Sequence, residues 1–148
     1  MEYRSDGNVV FACQYHVIFC PKYRRKVLVG EVEQRFRGIT REVAAEMAVD
    51  LIAMETDQDH VHLLVSVDPQ CGLHRFVTAL KRRCARLLRA EFPHLRRQLP
   101  TLWSSGYFVT TVGGAPPAVV VQRYIEKQPT SERPKERAKW AGYLEELR

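Results

Sequence analysis

Every second residue between Asp59 and Val67 is a branched apolar one, and this alternation constrains the fold more than any other feature of the chain. A period of two is typical of a β-strand with one buried face. The opposite face carries His60 and His62, whose imidazoles therefore point the same way. Same-face neighbours on a strand lie roughly 7 Å apart, so the two rings can converge on one metal ion. Taken alone, such a pair is more often two solvated histidines, because two ligands do not make a site.

Length and composition predict one soluble domain. The 148 residues suffice for a single compact core, and 45% hydrophobic with 27% charged residues is the balance of a globular protein. No apolar stretch approaches the roughly 20 residues that a membrane span needs, and the polar segment Met1–Asp6 is no export signal. We therefore expect no membrane association and a cytoplasmic location, in which the four scattered cysteines stay reduced and structural.

Positive charge is concentrated in one part of the chain. Lysine and arginine number 23 against 17 acidic residues, and eight of the cations lie between Arg75 and Arg97, with Glu91 as the single acid among them. Such a cluster is typical of a surface that binds nucleic-acid phosphates, although a solvated helix face has the same pattern. The residues that we assign to DNA phosphates are Lys22, Arg24, Arg25, Arg75, Lys81, Arg82, Arg83, Arg86 and Arg89.

Periodicity predicts an α+β fold. We expect strands at about residues 9–20, 49–56, 60–67 and 102–112, and helices at about 30–48, 73–92 and 118–128. This order is that of the ferredoxin-like split βαβ arrangement, in which two helices cover one face of a four-stranded antiparallel sheet. The third helix, at the C-terminal end of the domain, can dock on the free face or on a partner. Residues 129–148 should form a peripheral helix or a partly ordered tail.

The third helix carries Tyr124 and, four residues later on the same face, Gln128. An amide oxygen can join two imidazoles as a hard metal ligand, and a three-ligand site leaves positions open for phosphate oxygens. The pattern indicates nucleophilic attack at phosphorus by Tyr124, with His60, His62 and Gln128 as metal ligands. The alternative is that Tyr124 packs on the sheet and Gln128 lies at the surface.

The remaining aromatic and histidine residues give weaker signals. Tyr23 and Trp103 are candidates for stacking on unpaired bases, although each is more often part of a core. The other three histidines, His16, His74 and His94, stand in no such pattern, and we assign them structural or surface roles.

Four segments together resemble the single-tyrosine HUH transposases of the insertion sequence 200/605 family. They are His60-Val61-His62, the stretches Tyr15–Arg25 and Leu102–Gly114, and the segment Tyr124–Gln128. The resemblance covers roughly residues 8–128 in the family's order and spacing, which is far more specific than any single motif. It implies one transposase domain at 1–128, and it carries no role over to the residues after Gln128.

The resemblance also implies a mechanism. His60, His62 and Gln128 would bind a divalent cation, and Tyr124 would attack single-stranded DNA to give a 5′-phosphotyrosine bond and a free 3′-hydroxyl. It further implies a homodimer with joined sheets, in which the histidines of one chain meet the tyrosine helix of the other. The DNA partners would be imperfect hairpins near the ends of an element that is excised and inserted as a single-stranded circle.

Elementary chemistry agrees with this mechanism. A tyrosine with a pKa near 10 is a weak nucleophile at neutral pH, so a cation that polarises the phosphate is needed. Two nitrogen ligands and one oxygen suit Mn²⁺ at least as well as Mg²⁺. Because the covalent bond conserves the phosphoester linkage, a 3′-hydroxyl can reverse the step without a nucleotide cofactor.

Two other functions fit the same residues. A non-catalytic regulator derived from such an element would bind hairpin nucleic acid through the basic residues and would not need Tyr124. A replication initiator, a relaxase or a REP-associated transposase acting on repetitive palindromes would share the chemistry, although the small size and the one tyrosine helix favour the compact transposase type. Whether Tyr124 acts in its own chain or in its partner's stays open.

Overall fold

The computed structural model describes residues 3–111 and 118–130, with only the backbone described for Ala118 and Val119. The strands are β1 (Arg4–Asp6), β2 (Val9–Phe11), β3 (Gln14–Phe19), β4 (Asp50–Asp57), β5 (His60–Ser66) and β6 (Phe108–Thr111). The helices are α1 (Gly30–Glu46), α2 (Leu73–Glu91), α3 (Pro93–Gln98) and α4 (Ala118–Lys127). None of these helices is long and apolar enough to cross a membrane. The tail predicted beyond residue 130 lies outside the described residues.

Four of the strands form one antiparallel sheet in the order β4-β5-β3-β6. The connection from β3 through α1 to β4 passes over β5, and the connection from β5 through α2 to β6 passes over β3. Each helical crossover therefore skips one strand, which defines the split βαβ arrangement. The fold predicted from periodicity is confirmed.

Helices α1 and α2 cover the apolar face of the sheet. Val61, Leu63 and Val65 of β5 are fully buried, as the alternation predicts, and they share one hydrophobic cluster with Phe36 of α1 and Leu80 of α2. Burying one such side chain contributes about 2 kcal/mol. The core therefore holds the orientation of β5 in which its histidines face the other way.

Helix α4 lies on the opposite face of the sheet. Ile125 is buried there and packs against Ile18 and Cys20 of the β3 segment, with Phe108 and Tyr124 partly buried around this contact. The third helix thus docks on the free face within its own chain. The histidine strand and the tyrosine helix consequently share one face of one sheet.

The first predicted strand is interrupted. Its beginning, β2, pairs with β1 in a separate two-stranded hairpin, and only β3 joins the main sheet. Arg4 anchors this hairpin, because its guanidinium donates to the carbonyls of Ser66 and Ala48 and lies over the ring of Phe11. Contacts between residues so far apart in the chain leave no periodic signal, so periodicity did not predict the hairpin.

The segment after α2 also differs from the prediction. Helix α2 ends at Glu91, close to the expected stop, but Pro93 then begins the short helix α3, where its missing N–H is tolerated. The fourth strand begins later than predicted, since β6 pairs with β3 from Phe108 to Thr111, and the predicted end at residue 112 lies outside the described residues. Leu102 and Trp103 are buried ahead of this strand, where Trp103 forms an isolated antiparallel bridge with Pro21 and Leu102 O accepts a hydrogen bond from Lys22 N.

Candidate active site

The two histidines line a groove on the open face of the sheet. Glu55 of β4 and Ile18 of β3 are the cross-strand partners of His62, and Asp57 of β4 is the partner of His60. Cross-strand partners share a face, so acidic side chains stand beside both imidazoles. The groove has a volume of about 200 Å³ and is lined by Glu55, Thr56, Asp57, His60, His62 and Val121 of α4.

His60 is held by a carboxylate. Its Nδ1 donates a hydrogen bond of 2.9 Å to Oδ1 of Asp59, whose Oδ2 accepts one of 3.1 Å from Nη2 of Arg24. Burial alone would raise the pKa of Asp59, but the hydrogen bonds from His60 and Arg24 outweigh burial and hold this pKa below its ordinary value. Asp59 is therefore ionised, and Nε2 is the ring atom of His60 left to bind a ligand.

His62 is held by a second imidazole. Its Nε2 lies 2.9 Å from Nδ1 of His16 on β3, with the ring centroids 5.1 Å apart. Burial lowers the pKa of His62, and the neighbouring His16 lowers it further. His62 is consequently neutral at physiological pH, which is the form that binds metals.

The donor atoms at this groove fit a divalent cation. Among the residues that the structure describes, Asp57, Asp59 and His60 place possible ligand atoms within 4.8 Å of one another. Both oxygens of Asp59 already bind His60 and Arg24, however, so Asp57 and Glu55 are the carboxylates that line the groove. His62 lines the same groove. Imidazole nitrogens combined with carboxylate oxygens suit Mn²⁺ and Mg²⁺. The residues present are therefore compatible with the cation that the sequence predicts.

Tyr124 lies on the face of the histidines but over a different strand. Its ring centroid is 5.6 Å from that of Phe108 on β6. Phe108, Ile18 and His62 are successive partners across β6, β3 and β5, so Phe108 lies two strand spacings, or about 10 Å, from His62. Burial, with the neighbouring Cys20 adding to it, raises the pKa of Tyr124 to about 12. In this chain the phenol is thus protonated and packed beside β6.

Gln128 is not among the residues that line the histidine groove. Its Oε1 accepts a hydrogen bond of 2.8 Å from Oγ of Ser104, and its Nε2 donates to the carbonyl of Tyr124 at 3.3 Å. It borders a separate hollow of about 290 Å³ together with Lys22 and Lys127. The structure therefore brings together two of the three predicted metal ligands and holds the third on the Ser104 side.

Comparison with known proteins settles the family. The family described as "Transposase IS200 like" matches residues 9–128. The chain belongs to the IS200-like transposase family. The ISDra2 transposase TnpA of Deinococcus radiodurans is 40% identical over 130 residues, which span 86% of this chain and 92% of that protein. The transposase of insertion sequence element IS200 from Salmonella typhimurium is 30% identical over 127 residues, spanning 84% of this chain and 82% of that protein.

A solved structure has the same fold as this IS200-like transposase. The crystal structure of a candidate transposase from Deinococcus radiodurans R1 superposes with a TM-score of 0.79 at 36% sequence identity. The match covers 86% of this chain and 99% of that one. The sheet and helices described above are therefore shared with that structure.

The basic helix of this transposase lies across the sheet from its histidines, because α2 packs with α1 on the core face. Some of the basic side chains of α2 also bind other residues of the same chain, and Lys81 is one of them. Nζ of Lys81 donates to the carbonyls of Ser104 and Gly106 at 3.0 and 2.7 Å, and burial lowers the pKa of this lysine. The predicted DNA contacts that remain exposed are Arg25, Arg75, Arg82 and Arg86.

Other predicted DNA contacts of the transposase have partners within the chain. Arg24 binds Asp59, and Nη1 of Arg83 lies 2.7 Å from Oε2 of Glu46 on α1. Nη2 of Arg89 donates to the carbonyl of Leu99 at 3.5 Å. Lys22 is half-buried in the turn that follows β3.

The two aromatic candidates for base stacking belong to the core of the transposase. Tyr23 is 9% exposed and Trp103 is 7% exposed. The indole N–H of Trp103 donates to the carbonyl of Lys81 at 3.1 Å, and its ring meets the ring of Phe19 edge-on at 4.8 Å. Tyr23 and Trp103 are therefore core residues, which was the alternative to base stacking.

Sequence reasoning missed two residues that touch the histidines. His16 was assigned a structural or surface role, yet it contacts His62, and Asp59 received no role although it holds His60. Asp59 could have been found, since it precedes His60 in the tight turn between β4 and β5. His16 required the register of β3 against β5, which the sequence does not contain.

Proposed function

We propose that this transposase cuts and rejoins single-stranded DNA with Tyr124 as its nucleophile. The observation that carries the proposal is the placement of the histidine pair on β5 and the tyrosine helix α4 on one face of one sheet. A nucleophile and an electrostatic site that share a surface can act on the same phosphate once DNA lies across them. Family membership supports the same activity class.

In the proposed step the phenolic oxygen of Tyr124 forms a bond to phosphorus, and the bond between phosphorus and the 3′-oxygen breaks. The phenol gives up its proton, and the departing oxygen takes one up and leaves as a 3′-hydroxyl. The DNA stays attached through a 5′-phosphotyrosine bond. Because the number of phosphoester bonds is conserved, the 3′-hydroxyl of another strand can reverse the step, and no nucleotide cofactor is consumed.

His60 and His62 are the proposed ligands of Mg²⁺ or Mn²⁺, with Gln128 as the third. When bound, the cation supplies positive charge that stabilises the developing charge on phosphate and leaving oxygen. Gln128 would have to exchange the hydroxyl of Ser104 for the cation. Such help is needed because a phenol with a pKa of about 12 is rarely ionised at neutral pH.

The proposed partners are DNA hairpins and a second copy of the chain. We assign phosphate contacts first to the cations that the structure leaves exposed, which are Arg25, Arg75, Arg82 and Arg86. Lys22, Lys81, Arg83 and Arg89 are secondary candidates, because each is partly buried. Contacts of this kind bind the backbone without reading its sequence, so hairpin shape rather than base identity should govern them.

The test is a covalent adduct. The full chain is incubated with Mn²⁺ and a 3′-labelled single-stranded oligonucleotide that carries a hairpin beside a random-sequence segment, and the products are separated on a denaturing gel. We expect a labelled protein band that disappears on chelation of the metal. The variant Tyr124→Phe should give no band, since it removes only the attacking oxygen. Mass spectrometry of the band should locate the nucleotide on Tyr124.

A matched control is Tyr3→Phe, which removes another phenol from a side chain that is 75% exposed. This variant should form the adduct at the wild-type level. An adduct that survives Tyr124→Phe would contradict the assignment of the nucleophile. Hairpin binding by the wild-type chain with no adduct under any condition would favour the non-catalytic regulator.

A further inference from the structure

A chain of two hydrogen bonds links His60 to the basic turn that follows β3. Oδ1 of Asp59 accepts from Nδ1 of His60 at 2.9 Å, and Oδ2 of the same carboxylate accepts from Nη2 of Arg24 at 3.1 Å. The side chains are 26%, 18% and 23% exposed for His60, Asp59 and Arg24, respectively. Both oxygens of Asp59 are therefore used, one by the imidazole and one by the guanidinium.

The backbone that presents Arg24 has an unusual conformation. Tyr23 and Arg24 have φ angles of 58° and 52°, in the left-handed region that residues with a Cβ atom rarely adopt. The turn is held by the hydrogen bond from Lys22 N to Leu102 O at 2.8 Å and by the buried ring of Tyr23. Strained backbone of this kind is maintained only where its surroundings require it. Here it directs the guanidinium of Arg24 toward Asp59.

The alternative role of Arg24 is a direct contact with DNA phosphate. Its Nη2 is occupied by Asp59, and its Nε is buried and has no hydrogen-bond partner among the residues that the structure describes. Two of the three guanidinium nitrogens are therefore withheld from a ligand. The neighbouring Arg25 is exposed and is the better phosphate contact.

We infer that Asp59 is a positioning residue for His60 and that Arg24 is a positioning residue for Asp59. The carboxylate keeps the proton of His60 on Nδ1, so that the lone pair of Nε2 faces the groove, and the guanidinium keeps the carboxylate in place. A carboxylate behind a metal-binding histidine fixes its tautomer and raises its basicity. The part of this inference that concerns metal affinity rests on the proposed function.

The tautomer can be measured without any metal. In the ¹⁵N-labelled full chain at about pH 8, long-range ¹H–¹⁵N correlations distinguish Nδ1–H from Nε2–H for each of the five histidines. The variant His60→Ala identifies the signal. We expect the Nδ1–H form for His60 in the wild type, a shift toward Nε2–H in Asp59→Ala, and retention of Nδ1–H in Asp59→Asn, which keeps an acceptor oxygen.

The variant Arg24→Asn tests whether Arg24 positions Asp59, and Arg25→Asn is its control. Asparagine tolerates the left-handed backbone of position 24, so the turn should survive. We expect Arg24→Asn to shift the tautomer in the same direction as Asp59→Ala, to a smaller extent, and Arg25→Asn to leave it unchanged. Thermal unfolding of each variant verifies that it is folded. An unaltered Nδ1–H signal in both Asp59→Ala and Arg24→Asn would overturn the inference.

Titration with Mn²⁺, followed by electron paramagnetic resonance of the free ion, gives a second measurement. Asp59→Ala should bind Mn²⁺ about 10 to 100-fold more weakly than the wild type. Asp50→Asn removes one charge at the far end of β4 and should bind as the wild type does. If the wild type binds no Mn²⁺, the metal site of the proposed function fails, and the tautomer alone decides the positioning role. Equal affinity of Asp59→Ala and wild type would contradict that role.

Discussion

Nε2 of His62 lies 2.9 Å from Nδ1 of His16, which is on the neighbouring strand β3. One of these nitrogens donates to the other, so the ring of His62 is fixed by an imidazole just as the ring of His60 is fixed by the carboxylate of Asp59. Each histidine of the predicted pair therefore has a partner that was outside the predicted site. This second layer determines how the two rings face the groove.

Replacement of His16 by alanine should weaken metal binding. The ring of His62 would lose its hydrogen-bond partner and rotate more freely, and loss of an outer partner typically weakens metal affinity about tenfold or more. Calorimetric titration of the full chain with Mn²⁺ measures the effect. His94→Ala, which removes an exposed imidazole from α3, is the control and should bind Mn²⁺ normally. Equal affinities of the two variants would show that His16 does not orient His62.

The cleavage rate should rise with pH across the neutral range. The pKa of Tyr124 is raised to about 12 by burial and by Cys20, so at pH 8 about one phenol in ten thousand is ionised. The phenolate fraction increases about tenfold per pH unit below that pKa. Single-turnover adduct formation at fixed metal concentration should follow this slope between about pH 6.5 and 8.5. A plateau inside this window would mean that DNA or metal lowers the pKa of the phenol in the complex.

Replacement of Lys81 by methionine should destabilise the fold. The ammonium group caps the carbonyls of Ser104 and Gly106, and the variant would leave both without this donor. Hydrogen bonds to charged groups contribute about 1.5 to 3 kcal/mol, so we expect a loss of about 2 kcal/mol in the free energy of unfolding, measured by urea denaturation. Arg82→Met, at the neighbouring exposed position, should change it by less than about 0.5 kcal/mol.

Removal of exposed cations from α2 should reduce the salt dependence of DNA binding. Arg82 and Arg86 are exposed, and each phosphate contact contributes about 0.7 to 0.9 to the slope of log K against log salt concentration. The double variant with alanine at both positions should lower the slope by about 1 to 2. Arg83→Ala is the contrasting variant and should change the slope less, because Arg83 is already paired with Glu46. A slope that is unchanged in the double variant would exclude α2 from the DNA surface.

Much of the fold could be predicted because it follows from regular spacing. The apolar positions Val32, Phe36, Ile39 and Val43 recur at helical intervals, and all four are buried on one side of α1. The alternation in β5 likewise marks the face that enters the core. Such patterns indicate the buried face directly, because apolar side chains are stabilised by burial away from solvent. The sheet order then follows from the order of the elements and the rules for crossovers.

The candidate site could be predicted only where its residues are close in the sequence. His60 and His62 are two positions apart on a strand, and the four-residue spacing of Tyr124 and Gln128 places them on one face of a helix. The contact between Gln128 and Ser104 depends instead on how α4 docks. Docking reflects packing between distant segments and leaves no periodic trace, so it could not be predicted.

Strand β5 serves folding and chemistry through the same alternation. One residue inserted or deleted within β5 would make the residues on one side of the change exchange faces. Depending on which side stays fixed, the imidazoles would turn into the hydrophobic core or the valines would turn into the groove. The neighbouring strand accommodates an irregularity only between Leu51 and Ala53, well away from the residues opposite the histidines. Descendants of this chain can therefore alter the strand by substitution, whereas any change in its length would remove the groove and the interior together.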